Sequence, residues 1–254
     1  MKCGRFTAPM VIFLKGALMT ITFLAHSSFL LELPALAMLF DFQGGVLPAL
    51  PQKPLLVFAS HRHEDHFTPD IFRLDDGARE VRFLLGRDLK LTEKRMARWD
   101  LTPETAAKCL VLEGNEKVCP MDGVTVETLP STDEGVAFLI TAGGQTIFHA
   151  GDLNWWHWEG EDKAWNNAMA ASFRRYCEPL RHREIDLAML PLDPRQGVDG
   201  YRGAQYFLET AEIRRFLPMH QWGRFAFTDD FLAAYPGFAA VTEKITHDGQ
   251  TFTF

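Results

Sequence analysis

Six residues, His61 to His66, hold three imidazoles and two carboxylates in the run Ser60-His61-Arg62-His63-Glu64-Asp65-His66-Phe67. Neutral imidazole is the commonest protein ligand for zinc-like ions, and a carboxylate adds charge and a hard oxygen. His61 and His63 stand two apart, so an extended segment turns both to the same side. Asp65 and His66 follow where the chain would turn towards a helix. Ligands this close can serve two metal ions rather than one. A histidine-rich surface loop could share the composition. It would not be expected to show the pattern H-x-H-x-D-H directly after a buried strand, here Leu55-Leu56-Val57-Phe58-Ala59.

The rest of the chain supplies elements to carry that loop. Thr20–Leu24, Phe29–Leu33 and Ala37–Phe42 read as a strand meander. Val81–Leu85, Val124–Leu129, Val136–Thr141 and Thr146–Ala150 read as further strands, the last two joined by a hairpin turn at Gly143-Gly144. Thr68-Pro69-Asp70 has the form of a helix start, with Thr68 as cap and Pro69 in the first turn. Helical spacing is expected over 88–99, 162–183 and 201–213. Leu187–Leu190 and Phe216–Met219 are short apolar strands, and Thr251-Phe252-Thr253-Phe254 alternates after a turn at Gly249. Strands first, then strands alternating with helices, imply an α/β fold of two sheets sandwiched between helices.

The 254 residues are 47% hydrophobic and 23% charged, which suits a globular chain with a sizeable core. The expected organisation is an N-terminal extension at 1–18, disordered or a mis-assigned start, and a single domain over 19–254. Met10-Val11-Ile12-Phe13-Leu14 follows Pro9 and is closed by Lys15, so it is short against the roughly 7 to 15 apolar residues of a secretory signal. No stretch approaches the roughly 20 apolar residues of a membrane span. A formal net charge of -7 argues against a broad nucleic-acid footprint. Cys3, Cys109, Cys119 and Cys177 show no C-x-x-C spacing, which reads as buried or isolated thiols in a reducing cytoplasm.

H-x-H-x-D-H after an apolar strand resembles the signature of the metallo-β-lactamase superfamily. Phe148-His149-Ala150-Gly151-Asp152 is similar to the family's later strand ending in Gly-Asp. Leu217-Pro218-Met219-His220 is similar to its last motif. Ile21 to Phe29, followed by Leu39-Phe40-Asp41, resembles the opening of the ascorbate-6-phosphate-lactonase-like branch. The resemblance covers about residues 20 to 225 in order. It implies a four-layer αββα sandwich with the site at one edge, where the sheets meet. It also implies one metal at His61 and His63, another at Asp65, His66 and His220, and Asp152 bridging them.

The sequence departs from that pattern at one ligand. The family's third histidine of the first site would fall near Ser131, and none is there. Three outcomes follow. The site holds one metal at Asp65, His66, Asp152 and His220. Or it holds two, with Asp133, Glu134 or water in the gap. Or it is degenerate and empty. Loss of a nitrogen ligand shifts preference towards manganese or iron, with zinc still suited.

Neighbouring residues admit two readings each. His149 and His26 either touch the ligands or substrate, or are satisfied by backbone. Asp41 ends a strand region and is expected to order a loop. Asn154-Trp155-Trp156-His157-Trp158 either walls the metals or packs under the following helix. His157 is a weak candidate for the missing imidazole. Arg195 and Arg202 either grip a substrate anion or lie at the surface. Trp222 lines the pocket or packs.

The chemistry implied is hydrolysis of a small ester, lactone or phosphoester, with Asp65 orienting a water and Asp152 holding the cluster geometry. One or two divalent ions, zinc, manganese or iron, are the expected cofactors, and a small molecule the expected partner. A degenerate, non-catalytic binding protein and a di-iron redox protein are the alternatives. Action on β-lactam antibiotics is the least attractive reading, because kinship of fold does not carry substrate.

Overall fold

The computed structural model describes residues 18–254, so the expectation of an extension at 1–18 lies, but for Leu18, outside the described residues. In chain order the strands of the first sheet begin with β1 (Thr20–Ala25), β2 (Ser28–Leu33), β3 (Leu36–Phe40), β4 (Leu55–Ala59), β5 (Val81–Gly86) and β6 (Cys109–Leu112). The second sheet is built from β7 (Lys117–Val118), β8 (Val124–Pro130), β9 (Val136–Ala142) and β10 (Gln145–His149). The chain continues through β11 (Glu184–Ile185), β12 (Leu187–Pro191), β13 (Glu212–Ile213), β14 (Phe216–Met219) and β15 (Thr251–Thr253). The helices are α1 (Glu93–Arg98), α2 (Pro103–Ala106), α3 (Lys163–Cys177), α4 (Arg202–Thr210) and α5 (Phe227–Ala234).

The seven-stranded sheet runs β15-β1-β2-β3-β4-β5-β6 and the six-stranded sheet β14-β12-β10-β9-β8-β7. Both share one plan. An antiparallel portion, β15 to β3 or β7 to β10, adjoins a parallel portion, β3 to β6 or β10-β12-β14. Parallel strands are covered on both faces, which is why β4 reads as an unbroken apolar run. Its Leu56 and Phe58 point into the core between the sheets, beside Phe40 and Phe138. Its Leu55, Val57 and Ala59 point outward into a second core with Ile71, Phe72, Leu89 and Leu101. On the far side, Phe173 and Cys177 of α3, Phe207 of α4 and Phe231 of α5 close the main core. The four-layer αββα sandwich expected from the sequence is the fold observed.

The differences lie at element ends. The segment 162–183 stops being α-helical at Cys177, because Pro179 has no N–H for the ladder and forces a short 3-10 turn at Glu178–Leu180. The segment 88–99 is α-helical only over Glu93–Arg98; a 3-10 turn at Arg87–Leu89 precedes it, and Lys90 between them takes a positive φ of 28°. Thr68 caps a 3-10 helix, Pro69–Leu74, rather than an α-helix. The helix over 201–213 ends at Thr210, since Glu212–Ile213 pairs as a strand with β11. Cys109 and Cys177 are free thiols, but Cys119 is disulfide-bonded, so the isolated-thiol reading does not extend to it. No described helix is long and apolar enough to cross a membrane.

Candidate metal centre

The candidate ligands leave the carboxyl ends of parallel strands, the usual place for a site in an α/β sheet. In the first sheet Phe40 of β3 lies beside Phe58 of β4, so Asp41 and Ser60 emerge together. In the second, His149 of β10 lies beside Met189 of β12, and Pro191 of β12 beside Met219 of β14. That register sets Asp152, Asp193 and His220 on one edge. The two edges meet at Ser60, whose carbonyl accepts from Val136 N at 3.1 Å. A side chain at Gly135 (φ 73°) would put its Cβ 1.9 Å from that carbonyl oxygen, and one at Gly151 (φ 51°) would lie 2.7 Å from Ser60 Cβ. Glycine at both positions lets three loops close on one another.

At this seam the sequence motifs converge. Asp152 Oδ2 lies 3.5 Å from His61 Nε2, and its Oδ1 lies 3.2 Å from His66 Nε2 and 3.5 Å from His220 Nε2. His61 Nε2 and His63 Nδ1 are 3.0 Å apart. Asp65 Oδ2 lies 4.0 Å from both His66 Nε2 and His220 Nε2. One oxygen of Asp152 faces His61 and the other faces His66 and His220.

The bonds on the outer side of each ring fix which nitrogen faces inward. His66 Nδ1 donates to Asp41 Oδ2 at 2.7 Å, and His220 Nδ1 to Asp193 Oδ2 at 2.8 Å. The Ser60 hydroxyl donates to Asp41 Oδ2 at 2.6 Å, so it accepts from His61 Nδ1 at 2.9 Å. Each Nε2 is then left with its lone pair, the arrangement in which carboxylates orient metal-bound histidines. His66 Nε2, His220 Nε2 and Asp152 Oδ1 are buried with no hydrogen-bond partner. Buried polar atoms are rarely left so. Their convergence fits a divalent ion.

The charges agree. Burial would raise the Asp152 carboxyl, but His66 and His220 outweigh it and hold Asp152 well below the usual carboxylate range. Burial would lower His66, but Asp152 and Asp41 hold it well above the ordinary imidazole value. His61 is pushed down to about 4 by burial and by neighbouring His66. Asp193 is held at about 2, because hydrogen bonds from His220 and Arg195 overcome its burial.

The remaining candidates divide. Ser131 is no ligand: its Oγ accepts from Asp133 N at 3.1 Å and shapes the turn. That turn brings Asp133 Oδ2 to 4.0 Å from His63 Nδ1, in one group with His63 and Asp152. Glu134 is gripped by both Arg62 Nε and Nη2 at 2.6 Å, with its Oε2 3.7 Å from His63 Nε2. His149 is fully buried and spans Ser27 O at 3.0 Å and Gly151 N at 3.1 Å, so it braces backbone beside the site. Trp155 turns away and packs on Phe173 and Tyr206, under the Arg174 guanidinium at 4.4 Å. His157 lies 3.8 Å from Asp199 and does not replace the missing imidazole. Arg195 is committed to Asp193, with Nη2 2.6 Å from Oδ2, and lies over Trp222 at 4.5 Å. Arg202 pairs with Asp199. His26 lies 3.3 Å from Asp65.

One contributor escaped the sequence reading: Asp193, which orients His220. Trp156, one of the tryptophans read there as wall or packing, donates from Nε1 to Asp152 O at 3.0 Å. The signal for Asp193 is an acid just beyond an apolar strand that neighbours the strand of a histidine ligand. Trp156 and Trp158, two residues apart, stack at 6.0 Å and 4°. With Asp133, Asp152, Trp165 and Arg195 they line a 190 Å³ cavity opening on the cluster.

Comparison with known proteins bears on the family and the fold. The family model described as the beta-lactamase superfamily domain matches residues 20–159. A relative described as a UPF0173 metal-dependent hydrolase, from Opitutus terrae, is 29% identical over 163 residues, which is 53% of this chain and 63% of the relative. The matched segment thus spans less than two thirds of that relative's length. The structure of Igni18, a metallo hydrolase from Ignicoccus hospitalis, superposes with a TM-score of 0.60 at 15% identity over 93% of this chain and 98% of its own. The metallo-β-lactamase fold protein YhfI of Bacillus subtilis does so with 0.61 at 16% identity, over 94% and 100%.

Proposed function

Since the chain belongs to the beta-lactamase superfamily, we propose that it is a metal-dependent hydrolase of a small ester, lactone or phosphoester, with a centre for two divalent ions. The observation that carries this reading is the set of buried, unpartnered atoms, His66 Nε2, His220 Nε2 and Asp152 Oδ1, aimed at one another. His61, His63 and Asp152 would hold one ion, with Asp133 in the gap left by the absent histidine. Asp65, His66 and His220 would hold the other, with Asp152 shared. Zinc, manganese or iron suits this mixture of imidazole and carboxylate.

Divalent ions in such a cradle supply an activated water at neutral pH and polarise the carbonyl or phosphoryl oxygen under attack. The chain's own residues do the rest. Asp65 stays ionised, because His26 and His66 outweigh its partial burial, so it can accept a hydrogen bond from water and aim it. Asp152 fixes the spacing of the two halves, and Trp156 pins its backbone. Trp156, Trp158 and Trp165 offer flat apolar surface to the substrate. Arg195 is the one cation of that cavity, and Asp193 already neutralises it. This favours a neutral ester or lactone over a phosphoester. A small molecule, rather than nucleic acid, is the substrate class consistent with the formal net charge of -7.

The test is metal content by mass spectrometry on protein purified without chelator, beside Asp152→Ala, followed by an ester, lactone and phosphodiester panel. One or two equivalents, lost in the variant, and hydrolysis abolished by chelator are expected. No metal after reconstitution with manganese, zinc and iron would overturn the reading in favour of a non-catalytic binding protein. A visible iron spectrum without hydrolysis would favour redox chemistry.

A further inference from the structure

His26 sits in the two-residue connection between β1 and β2, at a φ of 51°. Side chains other than glycine enter that left-handed region at a cost, and such strain gathers at functional sites. The conformation is held from across the seam: His26 O accepts from His220 N at 3.1 Å, and His220 has a φ of 66°. The two connections, from different sheets, thus fix each other. They bring the His26 and His220 rings to 4.1 Å, with Trp222 against the His26 ring at 4.5 Å.

The side chain is only 7% exposed, yet its Nε2 has no hydrogen-bond partner. Asp65 Oδ2 lies 3.3 Å from it, an ion-pair contact that is not a well-aligned hydrogen bond. His26 Nε2 is thus turned, with Asp65, towards the same point as His66 Nε2 and His220 Nε2, which are likewise buried without a hydrogen-bond partner. Donor atoms of His26, Asp65, His66 and His220 all lie within 4.8 Å of one another. This group forms without Asp152, which falls in the other two groups, with His61 and His66 and with His63 and Asp133.

We propose that His26 is a direct ligand of the second metal ion, completing a set of three imidazoles and one carboxylate with Asp65, His66 and His220. The inference rests on the metal-centre reading above. It makes the two sites unequal. The second is nitrogen-rich and suits zinc or iron, whereas the first, with Asp133 and Asp152, is richer in oxygen and tolerates manganese. Asp152 is then freer to serve the first site.

Scalar coupling through a coordinate bond tests this directly. The protein is labelled with ¹⁵N-histidine, loaded with ¹¹³Cd, and its imidazole nitrogens are recorded. Splitting is expected at His26 as well as at His66 and His220. In His26→Asn, chosen because asparagine tolerates the left-handed backbone, that splitting disappears. His66 and His220 keep theirs, and cadmium affinity at one site falls at least tenfold. An unsplit His26 signal beside split His66 and His220 signals would overturn this inference and leave the metal centre standing. No splitting at any histidine would overturn the metal centre and this inference with it. The measurement on the unsubstituted protein decides the matter even if the variant folds poorly.

Discussion

Replacing Asp41 with asparagine keeps the shape of a buried side chain and removes only its charge and one acceptor. The backbone there has a φ of 40°, which asparagine accepts as readily as aspartate, so no strain is added. The carboxylate takes three bonds: from Ser60 N at 2.7 Å, from Ser60 Oγ at 2.6 Å and from His66 Nδ1 at 2.7 Å. An amide has one oxygen. If it faces His66, its NH2 confronts the Ser60 N–H, and a buried backbone donor goes unpaired. If it faces Ser60 N, the NH2 confronts His66 Nδ1, and the ring is driven to carry its proton on Nε2, the atom needed for metal. Either way His66 loses a charged acceptor that raises its basicity. Partners of this kind are worth about 10–100-fold in metal affinity, or about 1.4–2.8 kcal/mol. An unpaired buried donor costs the metal-free fold a further 1–3 kcal/mol or so. Competition against a chromophoric chelator reads the first quantity. Thermal unfolding in excess EDTA reads the second, at roughly 2–4 °C per kcal/mol for a domain of this size. Metal affinity within twofold of the unsubstituted protein would refute the claim that Asp41 orients His66 for a metal.

Asp193→Asn removes the charged acceptor of His220 Nδ1 and should weaken one of two bound ions about tenfold; the same chelator titration checks it, and unchanged binding would remove Asp193 from the centre. Asp133→Asn should cost one equivalent of metal, whereas Glu134→Gln should retain both, because Glu134 is held by Arg62; the reverse pattern in metal counts would exchange their roles. Glu134→Gln should also shift stability by less than about 1 kcal/mol, since its partner Arg62 is half exposed. Gly151→Ala forces a side chain into a φ of 51° and into Ser60, so metal-free protein should lose about 1–3 kcal/mol in denaturant unfolding; an unchanged midpoint would contradict the close approach at the seam.

The sequence determined what depends on short spacing. An apolar run of Leu55–Ala59 covered on both faces, the histidine-rich turn beyond it, and Gly151-Asp152 after another strand are each written in a few consecutive residues. Period and ligand spacing are local properties, and they were enough to imply the layered fold and the His61–His66 ligands, while the resemblance to a known family nominated Asp152 and His220. Element ends were less legible. Pro179 stops a helix where side-chain periodicity alone would have continued it, and Glu212–Ile213 leaves its helix only because β11 offers backbone partners. Tertiary structure decided the rest, because it depends on neighbours far away in the chain. Asp41 becomes the partner of His66 through the parallel register of β3 with β4, and Asp193 that of His220 through β12 with β14. Trp155 and Trp156 differ by one residue and one rotation: the first, half-buried, packs against Phe173 of α3, and the second, buried, meets the cavity. Ser131 stands where a ligand histidine was expected, and its turn brings Asp133 Oδ2 to 4.0 Å from His63 Nδ1. His26 stood in a hairpin loop, far in sequence from the motif, until the closing of two sheets at Ser60 set its ring among the others. Ligand types can be read from composition and spacing, but which of their atoms remain unpaired is fixed only when the sheets pack.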